Sequence, residues 1–104
     1  ILGLRLNNVS SFGVATQEVT LTDNTFDEVL IGADIDNELI GSGLATQVTD
    51  FSPGGNSIGA INDGIQITNF VGTQTLEISG GIDFTAGEDI DPVNAGGGTQ
   101  GINP

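Results

Sequence analysis

Val14-Ala15-Thr16-Gln17, Leu44-Ala45-Thr46-Gln47, Val71-Gly72-Thr73-Gln74 and Gly97-Gly98-Thr99-Gln100 are four versions of one short string. Four of the five Gln follow Thr directly, although Thr fills only 11 of 104 positions. Counted from the residue before Thr, the strings start at 15, 45, 72 and 98, spacings of 30, 27 and 26. Ile31-Gly32-Ala33 and Ile58-Gly59-Ala60 are likewise offset by 27. Such a period marks either a hairpin repeated along a β-sandwich or the coils of a β-solenoid. A sandwich is compact and antiparallel; a solenoid is elongated with parallel strands.

Between the strings the chain reads as short strands. Leu2, Leu4 and Leu6 alternate with Ile1, Gly3 and Arg5, the period-2 pattern of a half-buried strand. A polar break at Asn7, Asn8, Ser10 and Ser11 precedes a second strand region over 12–22. Residues 25–40 carry both signals. Phe26, Val29, Leu30 and Ala33 sit at helical spacing behind a Thr25/Glu28 capping box, yet Val29-Leu30-Ile31 is a β-type run and Gly32 interrupts a long helix. Strand is the preferred assignment. Further strands are expected over 44–51, 58–61, 65–71, 75–78 and 82–84. Ser52-Pro53-Gly54-Gly55-Asn56 is the clearest turn, and Ser79-Gly80-Gly81 suggests a hairpin. Residues 93–104, with Gly96-Gly97-Gly98, read as a Gly-rich tail.

Gly is abundant at 17 residues, Thr and Asn are frequent, and helix formers are scarce. One all-β domain over 1–104 follows. The expected architecture is an antiparallel β-sandwich, jelly-roll or Ig-like, with a β-solenoid as the alternative.

Composition also restricts the chemistry. The chain has no Lys, His, Cys, Met, Trp or Tyr; one Arg faces 14 carboxylates, for a formal net charge of −13. No imidazole base, thiol or amine is available for acid–base or nucleophilic catalysis. A glycosidase carboxylate pair is conceivable, but a saccharide site would lack Trp and Tyr platforms. The chain reads as a non-enzyme. Its charge repels phosphate backbones and anionic membrane surfaces, and no stretch approaches the ~20 apolar residues of a spanning helix, so nucleic acid and membrane insertion are unexpected; with so little chemistry available, so is a small-molecule substrate. The acidity suits an extracellular, ion-rich setting. The start at Ile1 reads as a chain whose secretory leader has been removed, or as a domain excised from a larger adhesin.

Two acidic clusters are candidate Ca²⁺ ligands: Asp34, Asp36 and Glu38 at alternate positions, and Glu88, Asp89 and Asp91. Isolated Asp23, Asp50 and Asp63 could add ligands from a distance. The first cluster is not an EF-hand, since Leu39 stands where that loop needs Gly and Ala45 where it needs Glu. Zinc lacks its preferred ligands. Asn8-Val9-Ser10 is the one glycosylation acceptor among the sites tested.

The leading strand is the sharper functional candidate. Ile1, Leu2, Leu4 and Leu6 form an apolar ribbon suited to strand addition in a neighbouring subunit, a donor-type strand over 1–8. At about 1.5–3 kcal/mol per buried aliphatic side chain, three leucines would contribute several kcal/mol. The first functional expectation is a secreted subunit that self-assembles as a homopolymer into a filament, pilus-like fibre or matrix. The alternatives are a calcium-stabilised β module of a large surface adhesin, or a viral coat, fibre or decoration protein.

Overall fold

The computed structural model describes residues 1–104, and every regular element in it is a strand. In chain order these are β1 (Leu2–Ser10), β2 (Val14–Thr22), β3 (Thr25–Leu39), β4 (Leu44–Gly54), β5 (Asn56–Phe70), β6 (Thr73–Glu77), β7 (Ile82–Thr85), β8 (Glu88–Ala95) and β9 (Thr99–Asn103). β1, β3, β5, β7 and β8 form one sheet, and β2, β4, β6 and β9 the other. All pairings are parallel. The chain passes from one sheet to the other at each corner, so the next strand of the same sheet arrives one full coil later. Parallel neighbours need a crossover, and here the strand of the opposite sheet supplies it. The result is a β-solenoid of about four coils. Coil 1 spans 2–22, coil 2 spans 25–54, coil 3 spans 56–77 and coil 4 spans 82–103.

The antiparallel sandwich expected from sequence is therefore replaced by its alternative. The cause is visible at Ser79-Gly80. Both residues have positive φ, and Gly81 N–H donates to the Ile78 carbonyl across 2.8 Å, so a tight turn does form. The strands it joins do not pair with each other: β6 lies between β4 and β9, while β7 pairs with β5. Alternation of apolar and polar residues reports which face is buried, and that signal is the same for parallel and antiparallel neighbours.

The shape also departs from the elongated form expected of a solenoid. Strands stack at about 4.8 Å, so four coils rise only about 15 Å between first and last. The extents are 38 × 24 × 19 Å, the longest being set by strands of up to 15 residues. The body is wide across its coils and short along its stack.

Other boundaries sharpen. Residues 25–39 are strand throughout, with register shifts around Val29 where Glu28 takes a positive φ. The two expected segments 58–61 and 65–71 are one strand, β5. The segment 93–104, read as a tail, holds the end of β8 and all of β9.

The core lies between the sheets. Ala33, Ile35, Ile65 and Ile67 from one sheet meet Leu21, Phe51, Leu76 and Ile78 from the side of the other, with Ile58 also enclosed. Register stacks like on like: Leu4, Ala33, Ile65 and Ile90 form one column, and Leu6, Ile35, Ile67 and Pro92 the next. The corners stack backbone on backbone. A Cβ on Gly43, whose φ is +135°, would strike the Gly13 carbonyl, so only Gly fits that turn.

Candidate functional site

The repeated Thr-Gln strings occupy the same place in every coil. Thr16, Thr46, Thr73 and Thr99 are in register on the outer face, and Gln17, Gln47, Gln74 and Gln100 beside them point inward. The glutamines form a continuous ladder. Gln47 Nε2 donates to Gln17 Oε1, Gln74 to Gln47, and Gln100 to Gln74, each across 2.8 Å. Gln47 and Gln74 are fully buried. A buried amide without partners costs about 1–3 kcal/mol, so the ladder makes this position tolerable.

A second ladder faces it from the other sheet. Asn8 Nδ2 donates to Asn37 Oδ1 (2.9 Å), Asn37 to Asn69 (3.0 Å) and Asn69 to Asn94 (3.0 Å). Each also binds the corner carbonyl just before Thr in its own coil: Ala15, Ala45, Gly72 and Gly98. The opposite corner has a shorter version. Asn56 Nδ2 donates to the carbonyls of Leu21, Phe51 and Gly81, tying three successive turns together.

The asparagine ladder was not read from sequence. Its members lie 29, 32 and 25 residues apart, a period blurred by corners of unequal length. The available signal was one Asn ahead of each Thr-Gln string, across the turn. Asn8, proposed as a glycan acceptor, belongs to this ladder. It is 7 % exposed, and the Nδ2 that would carry the sugar is spent on Asn37, Ala15 and Thr46. Folded chain leaves no room for the modification there.

The acidic candidates fall in two places. Asp34, Asp36 and Glu38 alternate on β3 as expected and lie on the outer face of their sheet. They do not converge on a point. Asp34 instead pairs with Arg5 at 3.1 Å, with the guanidinium largely in solvent. Burial pushes the Asp36 carboxyl above its ordinary range, Asp34 and Glu38 push it further, and Arg5 opposes them.

The second cluster is partly assembled. Glu88 and Asp91 join Asp63, and their carboxylate oxygens lie within 4.8 Å of one another. Asp63 and Glu88 are register neighbours across β5 and β8. Asp63 had been expected only as a remote contributor, and Asp89 is not part of the group. Three carboxylates with two half-buried members can offer up to six oxygens, the hard-ligand chemistry of Ca²⁺.

The leading ribbon is paired along its length with β3 of its own chain, from Leu2 against Ile31 to Ser10 against Leu39. Leu4 and Leu6 pack on the core, while Ile1 and Leu2 stay exposed. Strand donation by Ile1, Leu2, Leu4 and Leu6 would require β1 to leave β3. The surface has no cavity. Comparison with protein-family models, with curated proteins and with solved structures returns no match.

Proposed function

We propose that this chain is a non-catalytic structural module of an extracellular surface protein, a short β-solenoid segment stiffened by internal amide ladders and reinforced by Ca²⁺. The observation that carries the reading is the pair of ladders. The buried amides of the middle coils are committed to holding one coil on the next, which is the arrangement of a repeat whose use is its shape. High net acidity supports an ion-rich exterior. The Asp63, Glu88 and Asp91 group supports the calcium element, because it concentrates negative charge across adjacent strands that a divalent cation would relieve.

Thermal unfolding in CaCl₂ against chelator tests this. At a free Ca²⁺ about tenfold above Kd, linkage adds about 1.4 kcal/mol, or about 5–10 °C in Tm for a domain of this size. Asp63→Asn should abolish most of that rise. Identical melting of the native chain in calcium and in chelator would overturn the calcium element.

A further inference from the structure

Both ladders have direction. Each Asn donates forward, to the next coil's Asn Oδ1 and to that coil's Thr carbonyl: Asn8 to Asn37 and Thr46, Asn37 to Asn69 and Thr73, Asn69 to Asn94 and Thr99. As a donor, Asn94 makes only the bond to Gly98 within its own coil. The glutamines run the opposite way. Each donates within its coil to the carbonyl before the Asn, and backward to the preceding Gln: Gln47 to Asp36 and Gln17, Gln74 to Thr68 and Gln47, Gln100 to Val93 and Gln74. Gln17 donates only one long bond, 3.4 Å, to the Asn7 carbonyl.

The unmet partners at the two ends are complementary. Asn94 on coil 4 lacks a forward Asn oxygen and a forward Thr carbonyl, and Asn8 and Thr16 of a coil 1 occupy those positions in the repeat. Gln17 on coil 1 lacks a backward Gln oxygen, and Gln100 presents one on coil 4. The geometry points to head-to-tail stacking of copies of this chain, with coil 4 of one copy seated against coil 1 of the next. The second copy is the occupant because the outer columns match as well. Arg5, Asp34, Gln66 and Asp91 form one column. Extending it by one coil sets the chain's single cation beside Asp91. No two carboxylates meet across that junction, although Asp50 faces Glu77 and Asp63 faces Glu88 inside the chain.

The apolar columns agree. Ala33, Ile35, Ile65 and Ile67 are fully buried in the middle coils, whereas Leu4, Leu6 and Ile90 are half-buried and Pro92 is exposed on the outer ones. A twofold axis, which would join like ends, reverses strand direction and destroys every column. The head-to-tail contact is heterologous and does not close, so it builds a filament. This inference goes beyond the module reading and does not depend on calcium.

Sedimentation velocity and negative-stain microscopy of the 104-residue chain test it, in chelator so that no divalent cation contributes, and at about 0.15 M salt, which damps repulsion between chains of charge −13 beyond about 8 Å while leaving contact pairs at the junction in force. The expected result is association that grows with concentration into single-file rods. Arg5→Glu alone and Asp91→Arg alone should each weaken stacking by about tenfold or more, because like charges then meet at the junction. Mixing the two variants should restore rods of alternating composition, since each junction again pairs opposite charges. Circular dichroism verifies that both variants fold, and Asp91→Arg leaves the internal Arg5–Asp34 pair intact. A native chain that stays monomeric at every concentration overturns the proposal. So does stacking that both variants leave unchanged, or rods joined side by side.

Discussion

Coils 2 and 3 use the same columns as coils 1 and 4, yet their polar side chains face different conditions. Asn37, Asn69, Gln47 and Gln74 have no exposed surface, while Asn94 is exposed and Gln17 and Gln100 are half-buried. Of the four ladder amides on the outer coils, Asn8 is the one that is buried. In the middle coils an amide must have all its partners or destabilise the fold. On the outer coils water can replace a partner at little cost. The difference teaches that the ladders gain their weight from cover above and below, and that the solenoid is held most firmly at its centre.

The sharpest way to break that comparison is one substitution made twice. Asn69→Ala empties a fully buried site, takes one of three acceptors from Asn37, leaves Asn94 Oδ1 without its donor and removes the side-chain donor from the carbonyls of Gly72 and Thr99. We expect a loss of about 3 kcal/mol, from several buried groups at about 1–3 kcal/mol each, moderated by relaxation. Asn94→Ala, in the same column but exposed, should cost within about 0.5 kcal/mol. Urea unfolding of the two variants, with m unchanged from the native chain, measures both. Equal losses would show that the ladder acts per hydrogen bond rather than through burial.

A middle-coil polar group outside any ladder sharpens the same point. Thr49 sits in the column Val19, Thr49, Leu76 and Ile102, fully buried, and its Oγ1 has no hydrogen-bond partner. Thr49→Val keeps the shape and removes the stranded hydroxyl. The expected gain is about 1 kcal/mol in urea unfolding. A loss instead would mean that the hydroxyl has a partner in solution and belongs with the ladders.

Much of this architecture was legible in the Thr-Gln strings. Their outward Thr and inward Gln mark one position in each coil, at the start of β2, β4, β6 and β9. The asparagine column was hidden because β3 and β5 each hold 15 residues and the corners after them differ in length. Spacing therefore drifts even though register does not. Strand direction was hidden for a different reason. Ile65 and Ile67 face inward beside Ala33 and Ile35 whichever way the neighbour runs, and only knowledge of the partner strand separates a coil from a hairpin. Of the acidic candidates, Glu88 and Asp91 are brought together by a partner 25 residues away, Asp63, that no local pattern announces.

The smallest predicted effect concerns the outer face of a middle coil. Asp36 lies between Asp34 and Glu38, two residues from each, and burial is the largest influence raising its pKa above the ordinary 3.8. The folded chain thus holds that proton more readily than the unfolded chain. Below the unfolded value the carboxyl is neutral in both states and carries no penalty. As pH rises through the folded value, the charged form is disfavoured only in the fold, and stability falls. Asp36→Asn should therefore gain a few tenths of a kcal/mol at pH 7, after solvent screening of a half-buried group. The gain should vanish below about pH 3.8, where both side chains are neutral. The main-chain carbonyl of Asp36, which accepts from Gln47, is untouched by the change. Urea midpoints at neutral and acid pH distinguish the cases. A gain that is the same at both would place its origin in strand propensity rather than in charge.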